Sequence, residues 1–101
     1  MLVQAAVTGV DGAIGSTYNV NGKVSREIFD LAKSGEVSKA YELQHEANDV
    51  IEKVLELGLY QTLKEILKVK GLNAGYCKKP MKEFDESKIV EVERLVKDYN
   101  L

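Results

Sequence analysis

Apolar side chains in this 101-residue chain recur every three or four positions along most of its length, which is the spacing of one helix face. The longest stripe starts at Val37 and predicts an amphipathic helix of about 20 residues. Its apolar and aromatic positions are Ala40, Tyr41, Ala47, Val50, Ile51, Val54 and Leu55. Because Gly58 supplies a short turn after it, we expect the following helix to pack antiparallel. That second stripe consists of Leu59, Leu63, Ile66 and Leu67, with Lys64 and Lys68 on the solvated side.

Glycines and one acidic residue mark the helix ends. Gly35, Gly58 and Gly71 each follow a periodic segment, the position at which a helix commonly ends in a left-handed residue. The periodicity is lost after Gly71, which predicts a loop, and Asp85 is placed to cap the last helix. The inner face of that helix is marked by Ile89, Val92, Leu95, Val96 and Tyr99. Residues 36–101 are therefore predicted to form three helices.

The first 35 residues have a different pattern. An apolar helix is predicted from Met1 to Gly9 and an amphipathic one from Val20 to Lys33. Between them, a short apolar strand is expected at about residues 12–17, ending in a glycine, two hydroxyls and an amide. Helix, strand and helix in succession form the repeating unit of an α/β barrel, whose substrate-binding groups lie where strands end. This places Gly15 and Ser16 at a candidate binding edge, and Thr17 is expected to be structural.

Three sequence blocks carry a resemblance that covers essentially the whole chain. They are DGAIGSTYNVNG (11–22), IFDLAKSGEVSKAYELQHEANDVI (28–51) and GLYQTLKEILKVKGLNAGYCKKPM (58–81). In order and spacing they resemble the C-terminal third of the bacterial N-acetylneuraminate lyases, the sialic acid aldolases of the dihydrodipicolinate synthase superfamily. The resemblance implies a mainly α chain that is the C-terminal fragment of a (β/α)8 barrel. Residues 1–35 would be its last helix-strand-helix portion, and residues 36–101 the antiparallel helical appendage.

The resemblance also implies a reaction. Lyases of this family cleave N-acetylneuraminate to N-acetylmannosamine and pyruvate, using a lysine Schiff base and a proton-shuttling tyrosine. Both residues lie N-terminal to the segment that this chain resembles, so no catalytic residue is assigned here and the chain alone is expected to be inactive. N-acetylneuraminate and pyruvate are expected as ligands of the complete enzyme only. No cofactor or metal is expected, and the chain is expected to form a homo-oligomer.

The same resemblance implies roles in substrate binding. Ser16 would hydrogen-bond the polyhydroxyl tail of the sugar, and Gly15 would let the backbone approach the ligand because it lacks a Cβ. The alternative for Ser16 is a hydroxyl that satisfies local turn amides. Leu55, Leu59 and Tyr60 would lie over the barrel mouth beside the substrate. Their alternative is packing between two helices.

Composition excludes several classes of partner. The net charge of −2, with acids and bases mixed along helical faces, leaves no basic footprint for nucleic acid. No apolar run reaches the roughly 20 residues that cross a bilayer, and no signal segment is apparent, so a cytoplasmic protein is expected. Cys77 is the only cysteine and His45 the only histidine, too few for a disulfide or a structural zinc site.

Two alternatives stay open on the sequence. The chain could be the same portion of another aldolase of the superfamily, or a stand-alone helical module for interaction or oligomerisation that derives from such an enzyme. In an isolated chain the predicted strand would have no neighbouring strand, so the hydrogen-bonding groups of both its edges would lack partners. We therefore expect residues 1–35 to refold onto the helices, or to pair with a second copy through residues 13–17.

Overall fold

The computed structural model describes residues 1–101, and all of its regular elements are helical. They are α1 (Leu2–Thr8), α2 (Tyr18–Lys33), α3 (Val37–Leu57), α4 (Leu59–Val69), a 3-10 turn (Glu86–Lys88) and α5 (Ile89–Asp98). The residues group into two compact units, Met1–Asp49 and Val50–Leu101, and α3 contributes residues to both. No helix combines the length and the apolar character needed to span a membrane.

The first unit is built around the packing of α1 against α2. Its buried apolar cluster consists of Leu2, Val3, Ala6, Ile28, Ala32, Ala40 and Ala47. Four of these seven are alanines, and small side chains at the contacts let helix axes approach closely. Partly buried aromatic side chains of Tyr18, Phe29 and Tyr41 pack around the cluster. The two helices predicted for the first 35 residues are therefore present, as α1 and α2.

A buried glutamine ties α1 to α3 within the first unit. Gln44 is only 7% exposed, and its Oε1 accepts hydrogen bonds from the backbone N–H groups of Leu2 (3.1 Å) and Val3 (3.3 Å). Its Nε2 donates to Asn48 Oδ1 at 3.0 Å. The first amides of a helix lack intrahelical partners, and Met1 provides no side-chain cap. Gln44 therefore supplies from a distance the cap that the local sequence lacks.

In the second unit, α4 packs against α5. The buried apolar residues are Val50, Val54, Leu63, Ile66, Val92 and Leu95. The turn between α3 and α4 consists of Gly58 alone, at φ 102° and ψ 113°, a conformation that side chains with a Cβ rarely adopt. Gly35 and Gly71 also have positive φ, as predicted for helix ends. Asp85 caps the last helical segment as predicted, since its Oδ1 accepts from the Ser87 N–H at 3.1 Å and the Ser87 hydroxyl at 2.7 Å.

The predicted strand at about residues 12–17 is not confirmed. Residues 11–14 make no backbone hydrogen bond, whereas Ser16 and Thr17 form the turn that precedes α2. A strand is stabilised by a neighbouring strand, and the chain supplies no second apolar strand to pair with this one. Helix α2 begins at Tyr18 instead of Val20, and it is kinked at Asn21, where φ is −123° and ψ is 30°.

Candidate functional site

The turn from Gly15 to Asn19 is closed by backbone hydrogen bonds from the N–H groups of Tyr18 and Asn19. Gly15 O accepts from the Tyr18 N–H at 3.1 Å, and Ser16 O accepts from the Asn19 N–H at 3.3 Å. The Asn19 side chain adds a second bond to Ser16 O, from Nδ2 at 2.8 Å. The N–H groups of Val20 and Asn21 both donate to Thr17 O at 3.0 Å. The turn is therefore closed without any hydroxyl group.

This arrangement leaves the Ser16 hydroxyl uncommitted. Ser16 is exposed and its Oγ makes no hydrogen bond within the chain, and Thr17, at the N-cap of α2, also makes no side-chain cap bond. The alternative for Ser16 is a hydroxyl that accepts from turn amides, but its Oγ accepts from none of them, and the N–H groups from Tyr18 to Asn21 donate to carbonyl oxygens instead. A serine hydroxyl can donate one hydrogen bond and accept two, and all of this capacity is available to a ligand.

Gly15 is explained locally by its contact with an aromatic ring. A Cβ built on Gly15 would lie 3.3 Å from two carbons of the Tyr18 ring, closer than ordinary van der Waals contact. The Tyr18 ring also lines a cleft of about 210 Å³ in the first unit. The other residues lining it are Leu2, Asp11, Gly12, Ala13, Gly22, Ser25, Arg26 and Phe29. Packing against Tyr18 thus provides a reason for glycine that needs no ligand.

The second predicted group lies at the junction of α3 and α4, in the second unit. Leu55 is 56% exposed and Tyr60 is 47% exposed, while Leu59 is half-buried. The predicted stripe assigned both Val54 and Leu55 to the buried face: Val54 is buried as predicted, whereas the exposure of Leu55 contradicts its assignment. The structure gathers Leu55, Leu59 and Tyr60 at one helix junction, and Gly15 and Ser16 in the turn of the first unit.

Two lysines of this chain are held in ion pairs with neighbouring glutamates. Lys39 donates a hydrogen bond to Glu36 at 2.9 Å, and Lys53 donates to Glu56 at 3.0 Å. These hydrogen bonds, reinforced by the charge of the same carboxylates, raise the pKa of each lysine above its ordinary value. A lysine that forms a Schiff base must lose its proton, which requires a lowered pKa. Lys39 and Lys53 are therefore surface ion-pair residues.

The structure gives no candidate metal centre. No group of three or more histidine, cysteine, aspartate or glutamate side chains is placed to hold a metal ion. Cys77 is a free thiol of intermediate exposure, and His45 is exposed on α3. Neither residue therefore belongs to a cluster that could hold a metal ion.

Comparison with known proteins defines the family. Residues 1–99 match the dihydrodipicolinate synthetase family. The chain belongs to the dihydrodipicolinate synthetase family. The resemblance proposed from the three sequence blocks is thereby confirmed at the family level, and the helical fold matches part of a (β/α)8-barrel enzyme of that family.

Solved structures of N-acetylneuraminate lyases resemble this member of the dihydrodipicolinate synthetase family closely. The enzyme of Fusobacterium nucleatum is 52% identical with a TM-score of 0.92, and that of Clostridium difficile, in complex with mannosamine, is 47% identical with a TM-score of 0.93. Both matches cover 98% of this chain and 34% of the other. The lyase of Mycoplasma synoviae is 32% identical with a TM-score of 0.89 over 99% of this chain. The chain thus spans about a third of the length of these relatives.

Sequence reasoning missed two polar residues that shape this region. Gln44 interrupts the apolar stripe between Ala40 and Ala47, and a polar residue at a buried helical position is a signal for a long-range hydrogen bond. Asn19 follows the hydroxyl pair by two residues, a position where an asparagine side chain often bonds nearby backbone. Both signals are visible in the sequence, but neither specifies its partner.

Proposed function

We propose that this chain provides one wall of the substrate pocket of an N-acetylneuraminate lyase, which cleaves N-acetylneuraminate to N-acetylmannosamine and pyruvate. The proposal rests on one observation: 47–52% identity to N-acetylneuraminate lyases across 98% of the chain. The Fusobacterium nucleatum enzyme has also been solved with pyruvate. A homo-oligomeric state and a cytoplasmic location belong to the same proposal.

The chemistry of this wall follows from the groups it presents. The uncommitted hydroxyl of Ser16 would bond the polyhydroxyl tail of the sugar, and Gly15 would allow the backbone near the ligand. Leu55, Leu59 and Tyr60 would form a second, largely apolar contact, with the Tyr60 hydroxyl as a polar group at its edge. The amine that attacks the pyruvate carbonyl and the tyrosine that moves protons would come from the other two-thirds of the enzyme. The 101 residues by themselves would then have no lyase activity.

A chimaeric lyase tests this function directly. In the chimaeric lyase, the third of the Fusobacterium nucleatum enzyme that matches this chain is replaced by these 101 residues. We expect it to release pyruvate from N-acetylneuraminate. Ser16→Ala should lower kcat/KM by about tenfold through loss of a substrate hydrogen bond, whereas Ser38→Ala, at an exposed serine of α3, should leave it unchanged. A folded chimaeric lyase that releases pyruvate from another 2-oxo acid, and none from N-acetylneuraminate, would assign the chain to a different aldolase of the family.

One observation favours the second candidate, a helical module for self-association. Ile14 is 99% exposed in a segment whose backbone groups have no partners, which is the kind of edge that pairs with a second chain. This hypothesis predicts a dimer of the 101-residue chain in solution scattering and an inactive chimaeric lyase. A monomer whose residues 11–14 stay unprotected in hydrogen exchange would exclude it.

A further inference from the structure

The carbonyl oxygen of Ser16 accepts two hydrogen bonds, and both come from the same residue. The Asn19 side chain donates from Nδ2 at 2.8 Å, and the Asn19 backbone N–H donates at 3.3 Å. A carbonyl oxygen has two lone pairs, so this pair of bonds uses its full capacity. The side-chain bond is the shorter of the two and lies within the usual range for N–H···O, whereas the backbone bond is long.

We propose that Asn19 is a positioning residue for substrate binding, which holds the Ser16–Thr17 peptide in the orientation that presents the Ser16 hydroxyl to the sugar. This inference rests on the proposed function and extends it. The orientation of that peptide plane is set at Ser16 itself, so a clamp on the Ser16 carbonyl also restricts the direction of the Ser16 side chain. Asn19 would act through Ser16 without touching the substrate.

The surroundings of Asn19 do not provide a simpler role for it in the fold. Asn19 is exposed, so its amide would be solvated without the Ser16 bond. The side chain satisfies no N–H group of α2, because Nδ2 can only donate and its partner is a carbonyl. Gly15, which precedes Ser16, is held independently of Asn19: its carbonyl accepts from the Tyr18 N–H, and the Tyr18 ring packs against the glycine. Ser16 is thus the one residue of this turn whose fixation depends on the Asn19 side chain.

A preorganised hydroxyl lowers the ordering cost that substrate binding would otherwise incur. Removing the side-chain bond leaves Ser16 O with only the 3.3 Å backbone bond. The Ser16–Thr17 peptide then gains conformational freedom, and the Ser16 hydroxyl is no longer held in one orientation for the ligand. The loss should appear as weaker substrate binding, and therefore in KM more than in kcat. A variant with a hydroxyl at position 19 should recover part of the effect, because a serine near a helix start can donate to a carbonyl three or four residues earlier.

The test uses the chimaeric lyase with variants Asn19→Ala, Asn19→Asp and Asn19→Ser. Ala removes the side-chain bond, Asp keeps the shape but has no donor when ionised, and Ser restores a donor. We expect Ala and Asp to lower kcat/KM for N-acetylneuraminate by about three- to tenfold, mainly through KM, and Ser to recover part of the loss. Ser38→Ala serves as the control at an exposed polar position.

A double-variant comparison separates positioning from general destabilisation. If Asn19 acts only through the Ser16 hydroxyl, Ser16→Ala combined with Asn19→Ala should be no worse than Ser16→Ala alone. Additive losses in kcat/KM, or no loss from Asn19→Ala in an active enzyme, would overturn the proposal. A folded chimaeric lyase without activity would instead count against the proposed function. In that case, crystal structures of the parent and Asn19→Ala forms decide: an unmoved Ser16 overturns the positioning role and a displaced Ser16 supports it.

Discussion

The two long non-helical connections of this chain differ in the hydrogen bonds that hold them in place. In the second unit, two side chains of α4 hydrogen-bond the connection between α4 and α5. Lys64 Nζ donates to Ala74 O at 2.9 Å, and Gln61 Nε2 donates to Lys82 O at 2.7 Å. Asn73 closes a turn by accepting from the Gly75 N–H at 3.0 Å. In the first unit, residues 11–14 make no hydrogen bond at all, and Ile14 is 99% exposed.

The difference shows which parts of the chain are self-sufficient. The hydrogen bonds that hold the α4–α5 connection all come from residues of the same unit. The α1–α2 connection contains an apolar segment whose backbone and side chains are left unsatisfied, although its sequence has the character of a buried strand. Residues 11–14 therefore have unpaired backbone groups, whereas the α4–α5 connection is hydrogen-bonded to side chains of α4.

The largest expected effect concerns Ile14. In the 101-residue chain, Ile14→Asp should change the free energy of unfolding by less than about 0.5 kcal/mol, because the side chain is already exposed. In the chimaeric lyase the same change should cost about 3 kcal/mol, because an apolar strand residue would be buried there. Tyr76→Asp, at an 83% exposed residue of the other connection, is the control and should have a small effect in both proteins. Equal costs of Ile14→Asp in the two proteins would remove the contrast between the connections.

A smaller effect is expected from removing a side-chain hydrogen bond that holds the α4–α5 connection. Lys64→Met keeps most of the apolar stem but removes the bond to Ala74 O, and we expect a loss of about 1 kcal/mol in the free energy of unfolding. Hydrogen exchange should become faster in the loop that follows Gly71. Lys68→Met, at an exposed lysine one turn later, is the matched control. Unchanged exchange in Lys64→Met would mean that the loop is held by other contacts.

The smallest effect is a pH dependence at the start of the last helix. Hydrogen bonds from the Ser87 side chain and backbone hold the pKa of Asp85 below its ordinary value of 3.8. A lowered folded-state pKa gives stability that is present above pH 3.8 and is lost as the pH falls through the folded-state value. Both Asp85→Asn and Ser87→Ala should therefore flatten the acid side of the stability curve slightly. An acid limb identical to that of the parent chain would show that this cap does not contribute.

Much of the fold could be predicted from local signals. Glycines at helix ends, the Asp85 cap and the three- to four-residue periodicity report on neighbours within a few positions, so the sequence indicates them directly. The strand predicted at residues 12–17 is not confirmed, because strand formation depends on a partner that no local pattern reveals. The distant cap by Gln44 depends on a tertiary contact in the same way.

For the candidate site too, local sequence signals indicate some residues and not others. Ser16 was found because a hydroxyl follows a glycine at the end of an apolar run and because the chain resembles the lyases. The role of Asn19 required coordinates, since its sequence position allows several backbone partners and only the 2.8 Å bond selects Ser16 O. Leu55 was assigned to the core by periodicity, yet it is exposed, because a helical stripe wider than its contact surface leaves edge positions in solvent.

Under the proposed function, these residues line a substrate pocket but do not supply the attacking amine. Borohydride reduction in the presence of pyruvate, followed by intact-mass measurement, tests it most directly, because a Schiff base becomes a stable adduct. We predict no stoichiometric adduct on the 101-residue chain, and one adduct on the chimaeric lyase, on a lysine of the host portion. A stoichiometric pyruvate adduct on a lysine of the 101-residue chain would contradict the account.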